Sequence, residues 1–124
     1  MPLPFDDENL PLFTVGQVAE MLEIQQAFLR RLDEHSVVRP SRSSGGQRRY
    51  TRREITVVQY VLALVDDGMT LAAIRRVLML EAQVRQLIAE LDEVRSQRDA
   101  LRAAVTGYEA RPAGRGRESQ RGQR

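Results

Sequence analysis

The residues best suited to chemistry in this chain form a basic segment, residues 39–50, with glycines at its centre. Its polar and flexible residues are Arg39, Arg42, Gly45-Gly46, Arg48, Arg49 and Tyr50. A guanidinium group binds phosphate, or the major-groove edge of guanine, through paired hydrogen bonds. The segment therefore predicts binding to a polyanion, and the helical patterns on either side favour nucleic acid over a solvated turn.

The charge of the chain is concentrated around this segment. Residues 30–53 carry eight arginines and two acidic residues, a net charge of +6, whereas the full chain of 124 residues carries only +2. Residues 111–124 carry five arginines and one glutamate, a net charge of +4. One face of the protein is therefore expected to attract a polyanion.

The composition excludes several classes of function. The chain has no cysteine and one histidine, which excludes disulfides and metal sites built from thiolates or several imidazoles, so we expect no metal and no cofactor. No nucleophile lies beside a base in a catalytic pattern, so we do not expect an enzyme. The sequence has no apolar run long enough to span a bilayer and no signal-peptide pattern, which predicts a cytoplasmic protein acting at the nucleoid.

A helix-turn-helix pattern precedes the basic segment. Thr14 and Gln17 fit a capping box that opens a first helix, and Leu22-Glu23-Ile24 fits the turn that follows it. A second helix is predicted from about Gln25 to Glu34, with the basic pair Arg30-Arg31 within it. These two helices would display their polar side chains next to the basic segment.

A β-hairpin and two further helices are predicted after this pattern. Val37-Val38 and residues 47–50 are expected to form two short strands around the glycine pair, a hairpin of the kind called a wing. Thr51 opens a third helix that ends near Gly68. Thr70 then begins a single long helix of roughly forty residues, because no proline interrupts the pattern.

The long helix carries an apolar heptad seam with one exception, Arg98. The seam positions, separated by alternating steps of three and four residues, are Val77, Leu80, Val84, Leu87, Leu91, Val94, Arg98, Leu101, Val105 and Tyr108. A seam of this length needs a partner helix, most simply from a second copy of the chain. In a parallel pair Arg98 would face its own copy, so we expect an antiparallel homodimer.

Taken together, these patterns predict a mainly α fold, with a winged helix-turn-helix head followed by a long dimerisation helix that forms a coiled coil. Residues 12–76 are expected to form the head and residues 77–109 the coiled coil. Residues 1–11 are expected to be a flexible arm, and residues 110–124 a disordered tail rich in arginine and glycine.

The order of these elements and five local strings resemble the MerR family of bacterial transcription regulators. The strings are Phe13-Thr14-Val15-Gly16-Gln17-Val18-Ala19, Leu29-Arg30, Val38-Arg39-Pro40, Gly46-Gln47-Arg48-Arg49-Tyr50 and Gly68-Met69-Thr70-Leu71-Ala72-Ala73-Ile74. The resemblance covers residues 13 to about 108. Within the family the heat-shock repressor branch is most similar, because it too has a Gly-Gly-x-Arg-Arg-Tyr wing and a short coiled-coil end without a small-molecule domain.

The resemblance implies that the partner is double-stranded DNA, with the second helix in the major groove and the wing on the adjacent phosphates. The candidate DNA-binding residues are Gln25, Gln26, Arg30, Arg31, Arg39, Arg42, Arg48, Arg49 and Tyr50. Gln25, Gln26 and Arg31 are expected to lie nearest base edges. The family commonly has an aromatic pair where this chain has Arg31-Leu32, and Gly-Leu where this chain has Ser36-Val37. These differences leave the base-reading contacts open.

The sequence therefore predicts a homodimeric, sequence-specific transcription regulator that binds an inverted repeat and has no small-molecule effector domain. Whether it represses, as the resembling branch does, or activates stays open at this point. The alternative is a coiled-coil adaptor that binds another regulator, a sigma factor or a chaperone through the long helix. The missing aromatic pair is the observation that motivates this alternative.

Overall fold

The structure, a computed structural model, describes residues 7–110. Its elements in chain order are β1 (Phe13–Thr14), α1 (Val15–Leu22), α2 (Gln26–Glu34), β2 (Ser41–Arg42), β3 (Arg48–Tyr50), α3 (Arg52–Asp66) and α4 (Leu71–Glu109). The chain divides into two compact units, Met1–Glu81 and Ala82–Arg124. Residues 111–124 of the predicted tail and the first six residues of the predicted arm lie outside the described residues.

Both predicted capping boxes are confirmed. Thr14 Oγ1 accepts a hydrogen bond from the backbone N–H of Gln17 at 3.1 Å, and Gln17 Oε1 accepts one from the N–H of Thr14 at 2.8 Å. Thr51 and Glu54 make the same reciprocal pair at the start of α3, at 3.0 and 2.9 Å. Because these bonds satisfy N–H groups that have no partner inside a helix, they fix where α1 and α3 begin.

The helix-turn-helix and the long fourth helix are also confirmed. Glu23 ends α1 in the left-handed conformation, with φ of 55°, and the chain turns into α2 after Gln25. Gly68, with φ of 88°, lies between α3 and α4 as predicted for a helix-ending glycine. Thr70 Oγ1 accepts from the N–H of Ala73 at 3.1 Å and so opens α4, which continues unbroken for 39 residues.

The prediction that Val37-Val38 forms the first strand of the wing is wrong. Ser36 adopts the left-handed conformation, with φ of 58°, directly after α2. The N–H groups of Val37 and Val38 then both donate to the Leu32 carbonyl, at 2.8 and 3.2 Å, so they complete the end of the helix and are not free for a strand. The first strand of the wing is β2, Ser41–Arg42.

A three-stranded antiparallel sheet in the order β1-β3-β2 connects the wing to the start of α1. β1 pairs Phe13 with Tyr50 and Thr14 with Arg49, and β2 pairs Ser41 with the same Arg49. β1 was not expected from the sequence. Its pairing gives β3 a hydrogen-bonded neighbour on each side, so the wing is attached to the head along β3, and β2 is the outer strand.

The core of the first unit is apolar and is built from every helix of the head together with β3. Its fully buried side chains are Val18, Leu29, Leu32, Tyr50, Val58, Val61 and Ile74. Leu29 and Leu32 anchor α2 by one face, and Arg30 and Arg31 are exposed outside that face. Burial of α2 in this way fixes the direction in which its basic residues point.

Part of the predicted arm contacts α3. Arg53 donates from Nη2 to Glu8 Oε1 at 2.8 Å and from Nε to Asn9 Oδ1 at 2.9 Å. The backbone N–H of Arg53 also donates to the Glu8 carbonyl at 3.1 Å. The described end of the predicted arm is therefore held against the first turn of α3 by Arg53.

The second unit is described from Ala82 to Ala110 and consists almost entirely of the end of α4. Its large apolar side chains are exposed, from 46% for Leu91 to 67% for Leu101 and 73% for Tyr108. Arg98, the polar seam residue, is paired with its neighbour Asp99 at 3.0 Å. No helix among residues 7–110 is long and apolar enough to cross a membrane.

Candidate nucleic-acid interface

Four of the predicted DNA-binding arginines line one open cleft of about 380 Å³, which we call the wing cleft. The cleft lies between the start of α1, the exposed face of α2 and the wing. It is lined by Thr14, Val15, Arg30, Arg42, Gly46, Gln47, Arg48 and Arg49. The structure thus brings together side chains that are up to 35 positions apart in the sequence.

Two arginines of the wing are anchored to α2 by one carboxylate, that of Asp33. Asp33 Oδ2 accepts a hydrogen bond from Arg48 Nε at 2.7 Å and another from Arg42 Nη2 at 3.1 Å. Arg42 Nη1 also donates to the Gly46 carbonyl at 3.2 Å, within the turn of the wing. Because the Asp33 side chain is only 13% exposed, solvent screens these ion pairs less than typical surface pairs.

The turn of the wing is closed by its own backbone. The N–H of Ser43 donates to the Gln47 carbonyl at 2.7 Å, and the N–H of Gly46 donates to the Ser43 carbonyl at 2.9 Å. Gly46 has φ of 81°, a conformation that glycine adopts without strain and that suits a three-residue hairpin loop. The loop therefore holds the ends of β2 and β3 beside the cleft.

The chemistry available in the wing cleft is anion binding. Four guanidinium groups line the cleft, and two of them pair with the partly buried carboxylate of Asp33. Thr14 and Val15 place the start of α1 in the same wall, and the N-terminal end of a helix carries partial positive charge. A phosphate group of a nucleic-acid backbone matches this arrangement in charge and in hydrogen-bonding capacity.

The remaining candidate residues of α2 lie on two sides of the helix. Gln26 Oε1 accepts a long hydrogen bond from Arg30 Nη2 at 3.4 Å, which places it beside the wing cleft. Gln25 and Arg31 instead line a separate cleft of about 610 Å³ around Phe28. Arg30 and Arg31 are therefore neighbours in sequence but belong to different surfaces.

Two candidate residues of the basic segment lie outside the wing cleft. Arg39 is exposed between the buried residues Val38 and Pro40, away from the lining of the cleft. Tyr50, by contrast, is 0% exposed, and its buried hydroxyl has no hydrogen-bond partner among residues 7–110. Burial raises the pKa of Tyr50 from 10.0 to about 12. The predicted phosphate contact by Tyr50 is not available in this structure, where the ring belongs to the core beneath the wing.

Sequence reasoning missed Asp33 and the role of Thr14 in the cleft. Asp33 is one of only two acidic residues in residues 30–53, which carry eight arginines. This excess of arginine favours an ion pair between Asp33 and a nearby guanidinium group. Its partners are 9 and 15 residues away, however, so helical spacing did not reveal them. Thr14 was identified only as a helix cap, because its approach to the wing depends on the two-residue strand β1.

Comparison with known families identifies the type of domain. Residues 13–80 match the family described as MerR HTH family regulatory protein, and this range includes β1, both helices of the helix-turn-helix, the wing and α3. The chain belongs to the MerR family. It is accordingly a DNA-binding transcription regulator of the helix-turn-helix type, and not an enzyme.

Two named proteins are similar in sequence to this chain, which supports its membership of the family. HspR of Streptomyces coelicolor, described as a heat shock protein, is 33% identical over 104 residues, which cover 83% of this chain and 69% of HspR. The transcriptional regulator GlnR of Bacillus anthracis is 24% identical over 90 residues, covering 73% of this chain and 70% of GlnR. The similarity to HspR agrees with the branch of the family that the wing motif indicates.

Solved structures of MerR-family members share the fold. A regulator from Bacillus cereus superposes with a TM-score of 0.51 at 18% identity, covering 81% of this chain and 84% of its own. HiNmlR, a member described as lacking the sensor domain and bound to promoter DNA, gives 0.50 at 21% identity, with coverages of 78% and 90%. The N-terminal part of the Bacillus subtilis activator MtaN gives 0.51 at 19% identity, with coverages of 75% and 97%.

Proposed function

We propose that this MerR-family regulator acts as a homodimer that binds an inverted-repeat operator on chromosomal DNA in the cytoplasm. Each head would place α2 in the major groove and the wing on the neighbouring phosphates. The wing cleft is the observation that carries the proposal, because it brings Arg30 of α2 and three wing arginines to one surface. Two such heads related by twofold symmetry would recognise two symmetric half-sites.

The proposed dimer rests on the exposed seam of α4. Apolar side chains exposed along one helix lose contact with water when a second helix covers them, which stabilises association. Within the second unit every seam position except Arg98 carries an exposed apolar side chain. A second copy of the chain supplies the same seam and so satisfies the pattern with no additional partner.

The proposed orientation of the two helices is antiparallel. In a parallel pair Arg98 meets its own copy, which places two cations in one layer of the coiled coil. In the antiparallel register that sets Leu91 opposite Val94, Arg98 lies opposite Leu87 and the two Arg98 side chains are separated by about 16 Å along the helices. Arg98 then keeps its own counterion, Asp99, beside it.

A mobility-shift experiment tests the proposed DNA-binding surface. We first select the preferred duplex from random oligonucleotides and then compare the double variant Arg48→Ala/Arg49→Ala with the native chain at near-physiological salt. We expect the variant to lose at least tenfold in affinity, because it removes two phosphate contacts. The matched control Arg75→Ala/Arg85→Ala removes the same charge from exposed positions off the seam and should bind within a few-fold of the native chain.

The same experiment separates the proposal from the adaptor alternative. If Arg48→Ala/Arg49→Ala binds as tightly as the native chain, the wing cleft is not the DNA-binding surface. If no duplex is selected and a stoichiometric protein partner is captured through α4, the adaptor alternative is supported and the proposed operator binding is wrong. Selection of an inverted repeat would support the symmetric dimer.

Disulfide crosslinking tests the dimer and its orientation, and the chain is well suited to it because it has no cysteine. An antiparallel pair predicts that the single variants Leu87→Cys and Arg98→Cys do not crosslink, whereas the double variant does. A parallel pair predicts that each single variant crosslinks to its own copy. Failure of all three variants to crosslink would contradict a dimer in this register.

We also propose that these 124 residues bind their operator without a small-molecule effector domain. A fold neighbour whose title describes it as lacking the sensor domain is itself bound to promoter DNA, which supports the proposal. The purified chain alone should therefore shift the selected duplex in the absence of any added small molecule. A requirement for an added ligand or protein would overturn this part of the proposal.

A further inference from the structure

Asp33 binds Arg48 in a way that leaves part of the guanidinium group available. The hydrogen bond to Asp33 uses Arg48 Nε, at 2.7 Å. Among the described residues no hydrogen bond uses the two terminal nitrogens of Arg48, and this side chain lines the wing cleft. A guanidinium group can bind one anion through the Nε side and a second through its terminal nitrogens.

The same carboxylate also holds the other strand of the wing. Arg42, on β2, donates to Asp33 Oδ2 at 3.1 Å, whereas Arg48 is on β3. Asp33 itself lies in the last turn of α2. One side chain therefore links the helix expected to enter the major groove to both strands of the hairpin expected to lie on the phosphates.

We propose that Asp33 is a positioning residue for DNA binding, an inference that rests on the proposed function. By fixing Arg48 through Nε, Asp33 presents the terminal nitrogens of Arg48 to one DNA phosphate in the wing cleft. It also sets the distance between α2 and the wing before DNA arrives. The guanidinium group then loses little conformational freedom on binding, which favours affinity.

The sign of the effect distinguishes positioning from charge alone. A carboxylate beside a DNA phosphate repels it, so a purely electrostatic role predicts tighter binding when Asp33 is neutralised. Positioning predicts the opposite, because a neutral amide oxygen holds Arg48 and Arg42 less firmly than a carboxylate does. The isosteric substitution Asp33→Asn removes the charge with little change in shape and so exposes this difference.

The experiment is a double-mutant cycle on the selected duplex, with affinity measured by fluorescence anisotropy. The four chains are the native protein, Asp33→Asn, Arg48→Ala and the combination of both. We expect Asp33→Asn to weaken binding about tenfold in the native background and by a clearly smaller factor when Arg48 is already alanine, because only the contact to Arg42 is then left to lose. Thermal melts confirm that each variant is folded at the temperature of measurement.

A second variant keeps the test independent of any change at Asp33. Arg48→Lys retains the charge, but its single ammonium nitrogen cannot present a planar pair of donors to phosphate while another nitrogen is held by Asp33. Positioning therefore predicts a loss for Arg48→Lys that is close to that of Asp33→Asn. A purely electrostatic contact predicts binding near that of the native chain.

The outcomes separate the positioning role of Asp33 from the proposed DNA-binding function. If Arg48→Ala weakens binding while Asp33→Asn binds as tightly as the native chain or more tightly, the positioning role is overturned and the proposed function stands. The positioning role is also overturned if Asp33→Asn weakens binding equally in the Arg48→Ala background. If Arg48→Ala itself has no effect, the proposed use of the wing fails, and the role of Asp33 fails with it.

Discussion

Thr14 and Arg49 are paired across β1 and β3, so the residue that caps α1 lies beside the central strand of the wing. Both residues line the wing cleft. The hydrogen bonds that start the first helix and the ladder that attaches the wing therefore meet at one residue. This arrangement connects the stability of the head to the geometry of its candidate DNA-binding surface.

Thr14 and Thr51 form a matched pair for testing that connection. Each residue caps a helix in a reciprocal capping box, so Thr14→Ala and Thr51→Ala should each lower the free energy of unfolding by about 1 kcal/mol. Only Thr14 lines the cleft, so only Thr14→Ala should also weaken DNA binding when both variants are fully folded. Urea unfolding and anisotropy on the selected duplex measure the two effects, and equal DNA affinities would contradict the role of Thr14 in the cleft.

Tyr50→Phe tests the assignment of Tyr50 to the core. The hydroxyl is buried and has no partner within the described part of the chain, so its removal should leave DNA affinity unchanged and raise the free energy of unfolding by about 1 kcal/mol. A loss of DNA affinity in a variant of normal stability would show instead that the hydroxyl reaches a phosphate, as the sequence alone predicted. Anisotropy and urea unfolding at neutral pH distinguish the two results.

The same variant has a predicted pH dependence. Because the pKa of Tyr50 is raised from 10.0 to about 12 in the folded chain, the unfolded chain releases the proton first. The stabilisation is complete below pH 10 and is lost as the pH rises through 12, a change of about 2 to 3 kcal/mol. Tyr50→Phe should lack this component of alkaline destabilisation, and identical pH profiles for the two chains would contradict the buried, protonated state.

Ser36→Gly should stabilise the head. Ser36 has φ of 58°, where a side chain is strained and glycine is not. Substitution by glycine should raise the free energy of unfolding by about 0.5 to 1 kcal/mol, since relief of strain exceeds the added freedom of the unfolded chain. Thermal or urea unfolding measures the change, and a destabilised variant would show that the Ser36 side chain contributes more than its backbone strain removes.

The helices that begin with a reciprocal cap or carry a regular apolar repeat could be predicted from the sequence. Capping boxes at Thr14 and Thr51, the glycine after α3 and the unbroken pattern of α4 depend on residues within a few positions of one another. The turn of the wing was equally local, because Gly46 must adopt a positive φ. Agreement between local preference and the observed fold is expected wherever neighbours alone decide the conformation.

The parts that sequence did not predict depend on tertiary contacts. β1 has only two residues, too few to show a period, and exists because Phe13 and Thr14 find β3. Two consecutive valines favour a strand by composition. The N–H groups of Val37 and Val38 both donate to the Leu32 carbonyl, however, so they are not free to pair with another strand. β3 has only three residues, so the sequence does not show which of its faces is buried. The structure buries the face that carries Tyr50, and Tyr50 therefore belongs to the core.

The proposed DNA-binding surface requires the four arginines of the wing cleft to contact DNA phosphates, and the salt dependence of binding measures these contacts. The measurement is the slope of log affinity against log salt concentration for the native chain and for single alanine variants of Arg30, Arg42, Arg48 and Arg49. Each arginine that neutralises a phosphate should reduce the magnitude of the slope by about 0.9 and weaken specific and non-specific DNA alike. Slopes equal to that of the native chain in all four variants would show that the wing cleft does not contact DNA phosphates.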